Sequence, residues 1–481
     1  MTCHIVPYIH YNMVVNSFYF WIVFPFLFMF YWMIPSSNKR MKKWYLIAAS
    51  YLIYMTFYVF HALVLAYVTG VTYMGAIKIE EKPARKRKLL WLFLIASFLP
   101  LFGFKYLKFF AESTSTMLGW LGIDFHIYGL NWMIPIGISF YTLQAVAYMV
   151  EVYYGKARAE RSFTDYMLFI SFFPHIVCGP ISLASELLPQ IKAPKPFDQA
   201  LATRGLKRVV WGLFLKLAIA DRIGIFVDYV YGNFKIFTGM DCVVASLGYS
   251  LQIYADFAGY SLMAIGIANT LGYHLVNNFN RPYFSLTVSE FWNRWHISLS
   301  RWLKYNIYIP LGGNRCSKAR NYFNIIVTFF VSGIWHGANW TFFFWGLLHG
   351  IAQVIEKMLG VHKAGNPSMP IKLMRIVITF SIVNFAWIFF RMPSLSKAFD
   401  FIGHIGANFF SSFTLTDETN LLYVLLVFPI LLVVDVWEEF FSERSRFKGN
   451  KYLSWAFYIG IVLIIMSVGV IDAGQFIYAN F

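Results

Sequence analysis

The chain has 481 residues, of which 59% are hydrophobic, 20% aromatic and only 13% charged, with a formal net charge of +17. A soluble protein of this size carries about 25% charged residues, so the composition excludes an ordinary soluble enzyme and points to a polytopic membrane protein. The basic balance does not imply nucleic acid, because the lysines and arginines sit in short loops between apolar blocks, the pattern that retains loops in the cytoplasm.

Apolar blocks recur at 14–34, 44–77, 89–110, 132–152, 165–181, 209–231, 243–271, 321–355, 372–391, 421–437 and 453–471. Several have the ~20 residues a helix needs to cross about 30 Å of hydrocarbon. Their continuous apolar character disfavours a barrel, whose strands alternate apolar and polar residues. The first block lacks a basic region ahead of it and a small-residue cleavage site behind it, so it reads as a retained span. No Lys or Arg precedes it, whereas Lys39, Arg40, Lys42 and Lys43 follow closely, which sets the N-terminus outside. Further basic clusters lie at Lys82 and Arg85–Lys88, at Arg315, Lys318 and Arg320, and at Arg444, Arg446, Lys448 and Lys451. The last of these puts the C-terminus outside if 453–471 crosses fully.

The block 44–77 would be about 50 Å long as one helix and is basic at both ends, so two short spans turning near His61 are expected. The count is about eleven or twelve membrane segments, some incomplete, in a single integral-membrane domain over 1–481. Cys3, Cys178, Cys242 and Cys316 are scattered and show neither a disulfide framework nor zinc spacing. No Walker sequence, dinucleotide fingerprint or 20–50-residue repeat is present, which argues against an ATP-driven pump. The stretches 361–370 and 411–420, rich in Pro, Gly, Ser and Thr, read as plain loops.

The densest chemistry lies between 250 and 350. Asp256 interrupts an apolar block, where an unpaired carboxylate costs several kcal/mol, so it is either structural glue or part of a polar cavity. Thr287 followed by Glu290 has capping-box spacing and predicts a helix starting near Val288. On it Trp292, Trp295, Leu299 and Trp302 form one apolar face, with Asn293, Arg294, Ser298 and Arg301 largely away from it and His296 at the edge between the two. Taken alone, a histidine on such a helix is more often structural than catalytic. Pro310 and the glycines after it end the pattern.

From Asn321 to Ile355 there is no Asp, Glu, Lys or Arg, yet the run contains WHGANW at 335–340. Thirty-five uncharged residues are too many for one upright span, and basic residues flank both ends, so the chain is expected to enter, turn at Gly337 and return. Irregular backbone at that depth survives only where protein or a wet cavity satisfies it, so His336 and Asn339 are expected to line a polar well. His349 has no such argument and reads as structural.

These residues carry a resemblance. IGISFYTLQAVAYMVEVYYGK at 136–156, FFPHIVCGPI at 172–181, the segment 255–315 ending in PLGGNR, and FVSGIWHGANWTFFFWGLLHG at 330–350 together resemble the membrane-bound O-acyltransferase family, in particular its bacterial alginate, peptidoglycan and cellulose O-acetylation branch. The resemblance covers nearly the whole chain in order. It implies an all-α membrane fold in which re-entrant and interfacial helices surround a central tunnel joining a cytoplasmic donor side to an outward acceptor side.

It also implies that His336 occupies the family's catalytic-histidine position and His296 the second histidine typical of this branch. A base that takes the acceptor hydroxyl proton as the ester bond forms suits an imidazole. Asn339 or backbone N–H groups at the turn are candidates to stabilise the oxyanion. Asn293, Trp335 and Asp256 are candidates to line the tunnel. Arg294, Arg301 and Lys304 are candidates either for donor phosphates or for anchoring among anionic headgroups. The chain departs from the family's usual pattern at Leu262 and near Tyr305–Asn306, where relatives commonly carry acids, and at Ala255 and Ala258.

The expected activity is transfer of an acetyl group from a cytoplasmic thioester, acetyl-CoA, across the membrane for O-acetylation of an extracytoplasmic polysaccharide, with a periplasmic partner protein completing esterification. No tightly bound cofactor, metal or nucleic acid is expected, and the expected location is the bacterial cytoplasmic membrane. The alternatives are D-alanyl transfer from a carrier-protein thioester to teichoic acid, and a transporter in which Asp256, His296 and His336 form an ion path.

Overall fold

The computed structural model describes residues 13, 15, 17–125, 129, 132–361, 367–411, 418–441 and 449–470. Among them every regular element is a helix. Among the described residues six helices are long and apolar enough to cross a membrane: Val59–Glu81, Pro83–Trp120, Gly239–Thr270, Met369–Arg391, Thr419–Phe440 and Lys451–Val468. The other apolar blocks form shorter or more polar helices. Phe18–Met33 and Ile138–Tyr153 have 16 residues each, about 24 Å at 1.5 Å per residue, short of the hydrocarbon thickness. The block 165–181 breaks into Phe163–Ser171 and Phe173–Ile176.

Contacts gather into two compact units, one within 1–107, 128–205 and 266–275, the other within 108–127, 206–265 and 276–481. In the first unit Val59–Glu81 packs against Lys86–Leu101 and Ile138–Tyr153. The expected turn in 44–77 occurs at Thr56–Tyr58, where the Thr56 hydroxyl donates to the Ile53 carbonyl at 2.7 Å and Tyr58 is extended. His61 lies just past it, buried in the first turn of the next helix. That helix has 23 residues and is long enough to cross alone, so the second arm is longer than the short span expected.

In the second unit Lys318–His336 and Trp340–Met358 form a closely packed antiparallel pair. Met369–Arg391 packs against the returning helix, and the short helix Val288–Arg294 packs against both Trp340–Met358 and Met369–Arg391. The pair is tight because its contact residues are small. A Cβ on Gly333 would lie 2.3 Å from the Phe342 carbonyl oxygen, and one on Gly346 would lie 2.4 Å from that of Phe329. Small residues that let helix backbones approach drive association where water supplies no hydrophobic force.

Residues 362–366 and 412–417, most of the expected loops at 361–370 and 411–420, lie outside the described residues, as do Cys3, Arg444, Arg446 and Lys448.

Candidate active site

The predicted turn at Gly337 is present. Lys318–His336 ends at His336, Gly337 is extended, and Asn339 caps the returning helix by accepting the Thr341 N–H at 3.0 Å. The hairpin therefore presents His336 at its bend. The imidazole is buried and meets Trp345 edge to face at 4.9 Å, Phe390 at 5.1 Å and its neighbour Trp335 at 4.8 Å between ring centroids.

The segment carrying His296 differs from the single helix expected. Its start is as predicted: Thr287 accepts the Glu290 N–H at 3.0 Å, and the Glu290 carboxylate accepts the Leu286 N–H at 2.8 Å. The helix stops at Arg294, however, and a second one runs from Ile297 to Leu303. Between them His296 has φ +44°, a left-handed conformation that side chains other than glycine rarely adopt. The break turns His296 inward, so it is fully buried instead of lying at the edge of a face. Trp292 on the first helix, Trp295 in the break, and Leu299 and Trp302 on the second helix are all buried, so they do not form one helical stripe.

His296 contacts Asn278, the ring of Phe257 at 4.7 Å and the indole of Trp335 at 5.8 Å. Trp335 thus touches both histidines. The turn and the helix break, 40 residues apart in sequence, deliver them to one indole.

Asp256 has a partner that the sequence reading missed. Lys216, on the π turn Phe214–Ala220, pairs with it at 2.6 Å and with Asp221 at 2.8 Å, and all three side chains are buried. Within one apolar block, a lone lysine followed five residues on by an aspartate was the available signal. The same helix that carries Asp256 supplies Phe257 to His296, and Ser261, one helical turn later, reaches Asn278 at 3.3 Å.

Other expected residues fall elsewhere. The Asn339 side chain uses its oxygen for the helix cap and one N–H of its amide for the Pro393 carbonyl at 2.8 Å, which leaves its second N–H to donate. Arg294 is engaged by Glu439 at 2.9 Å and Glu290 at 2.7 Å, so its guanidinium fastens helix ends together. Arg301 is half-buried on Ile297–Leu303. Lys304 and Asn293 are exposed and line a cavity of about 340 Å³ together with Lys357, Tyr308, Thr328 and Trp292. Trp292 forms its inner wall, lies 5.6 Å from Trp345 and donates its indole N–H to His349 Nδ1 at 3.3 Å. His349 is buried.

These features define a helical membrane protein in which two buried histidines contact a common indole and Lys304, Lys357 and Glu356 line a separate cavity. The family model described as MBOAT, membrane-bound O-acyltransferase family, matches residues 153–396. The chain is 36% identical over 381 residues to the probable alginate O-acetylase AlgI of Pseudomonas aeruginosa, covering 78% of this chain and 72% of that protein. It is 37% identical over 423 residues to the peptidoglycan O-acetyltransferase of Helicobacter pylori, covering 80% and 78%. Similarity to the teichoic acid D-alanyltransferase of Streptococcus thermophilus is 29% over 281 residues, covering 53% and 68%. The chain belongs to the membrane-bound O-acyltransferase family and is an acyltransferase.

Proposed function

We propose that this protein transfers an acetyl group from acetyl-CoA on the cytoplasmic side to a hydroxyl destined for, or borne by, an extracytoplasmic polysaccharide. The single observation that carries the reading is the contact of both buried histidines with Trp335 at the bend of the hairpin. His336 takes the acceptor hydroxyl proton as the oxygen attacks the thioester carbonyl, and the tetrahedral intermediate then expels the thiolate, which leaves as the thiol once protonated. Buried rings exclude water from this step, so the acyl group passes to the alcohol instead of being hydrolysed. Backbone N–H groups at the turn, or the second N–H of the Asn339 amide, stabilise the oxyanion.

The cavity at Lys304 and Lys357 is the donor entrance, with the two ammonium groups toward the phosphates and the acyl end toward Trp292. A periplasmic acetyltransferase or acyl-relay protein receives the product in the cytoplasmic membrane of a bacterium, and the N-terminus faces outward. D-alanyl transfer is the second reading, favoured only by the more distant relatives at 28–29% identity. Purified protein given radiolabelled acetyl-CoA or a D-alanyl-charged carrier protein separates the two. Label transferred from acetyl-CoA supports the proposal, and transfer from the carrier alone overturns it.

A further inference from the structure

Asn278 lies within the segment 255–315 but is not among the candidate site residues, and its side-chain oxygen is the meeting point of three contacts. It is 3.2 Å from His296 Nδ1, 3.1 Å from the Ser298 backbone nitrogen and 2.9 Å from the Ser298 hydroxyl. Its amide nitrogen is 3.3 Å from the Ser261 hydroxyl. All four residues are buried. The main chain holds the pair in register as well, because Ile297 N–H donates to the Asn278 carbonyl at 2.9 Å and Asn280 N–H donates to that of Arg294 at 2.9 Å.

Donor chemistry fixes what each atom is. A backbone N–H only donates, so the amide atom facing Ser298 N is the oxygen, and the orientation of the Asn278 amide follows. An amide oxygen only accepts. The His296 Nδ1 directed at it therefore carries a hydrogen, and in the neutral ring the lone pair resides on Nε2.

We propose that Asn278 is a positioning residue that holds His296 in the Nδ1–H tautomer, so that His296 offers the acyl-transfer site a hydrogen-bond acceptor at Nε2. This rests on the reading of His296 as part of that site. The assignment has a mechanistic consequence: an acceptor nitrogen orients the hydroxyl of the acyl acceptor, whereas an oxyanion requires a donor. His296 thus belongs to the hydroxyl side of the reaction, and the oxyanion is stabilised by other groups.

The test is nitrogen NMR of the full chain, labelled with 15N-histidine and held in lipid nanodiscs, with His296 identified by difference from His296→Gln. The wild type should show a protonated Nδ1 and an unprotonated Nε2. Asn278→Leu should lose the single tautomer and about 10–100-fold of acetyl transfer, as loss of an orienting partner does elsewhere. Asn278→Asp and Ser298→Ala, which keep an acceptor at Nδ1, should retain the tautomer. An Nε2–H ring or an imidazolium in the wild type overturns the proposal even if Asn278→Leu fails to accumulate, as does an unchanged tautomer in that variant. Unchanged acetyl transfer in His296→Gln would instead remove His296 from the reaction while leaving the tautomer result standing.

Discussion

The indole of Trp335 lies 5.8 Å from the ring of His296 and meets it nearly edge on, and it also meets the ring of His336 at 4.8 Å. One rigid side chain therefore lies against two imidazoles, one at the end of a long helix and one in the break between two short ones. Trp335→Ala should leave a void there, lowering stability by about 3–5 kcal/mol, the usual range for a truncated buried aromatic. Acetyl transfer should fall further than the melting temperature alone explains, whereas Trp335→Phe should retain part of both. Thermal melts in detergent paired with turnover at a temperature where each variant is folded check this.

The Lys216 ammonium is shared by Asp256 and Asp221. Lys216→Met should cost about 3–5 kcal/mol, because it strands buried carboxylates without their counter-charge. Replacing all three by apolar residues of similar volume, Lys216→Met with Asp221→Leu and Asp256→Leu, should recover most of that loss. Denaturation of the purified variants measures it. Equal instability of single and triple variants would show that the triad's worth is not charge compensation.

Much of this architecture was legible in the sequence, and the missing parts share a cause. The turn at Gly337 followed from thirty-five uncharged residues between basic flanks, and the helix start at Val288 followed from Thr287 and Glu290, because both rest on local rules of length, charge and capping. The break at His296 was not legible. The spacing of Trp292, Trp295, Leu299 and Trp302 fits one helix, and periodicity cannot report a single left-handed residue between two short ones. The partner of Asp256 was hidden as well, since Lys216 lies 40 residues away and the pairing exists only after the helices pack. Asn278 reached His296 by the same kind of tertiary contact.

Close packing at the hairpin gives a third expectation. Gly346→Ala puts a methyl group 2.4 Å from the Phe329 carbonyl oxygen, a backbone atom that cannot rotate aside. The helices must separate, at a cost of about 1–3 kcal/mol typical of overpacking. Because the bend carries His336, turnover should drop along with the melting temperature. Gly403→Ala, where a Cβ meets open space, should leave both unchanged.

The cavity lined by Lys304, Lys357 and Glu356 separates two uses of basic residues. Lys304→Ala combined with Lys357→Ala should raise the KM for acetyl-CoA about tenfold, the worth of one charge-assisted contact, with kcat nearly intact. Arg294→Ala should instead weaken the fold, because its guanidinium holds Glu290 and Glu439. Steady-state kinetics at fixed ionic strength distinguish these outcomes. A KM effect confined to Arg294→Ala would move the donor site to the Glu439 end.

The most direct test of the account is transfer of radiolabelled acetyl from acetyl-CoA by His336→Ala, purified in nanodiscs and shown to be folded by an unaltered thermal melt. Loss of a general base predicts turnover reduced at least about a hundredfold, with acetyl-CoA still bound. Wild-type turnover in that folded variant would contradict the assignment of His336 as the base.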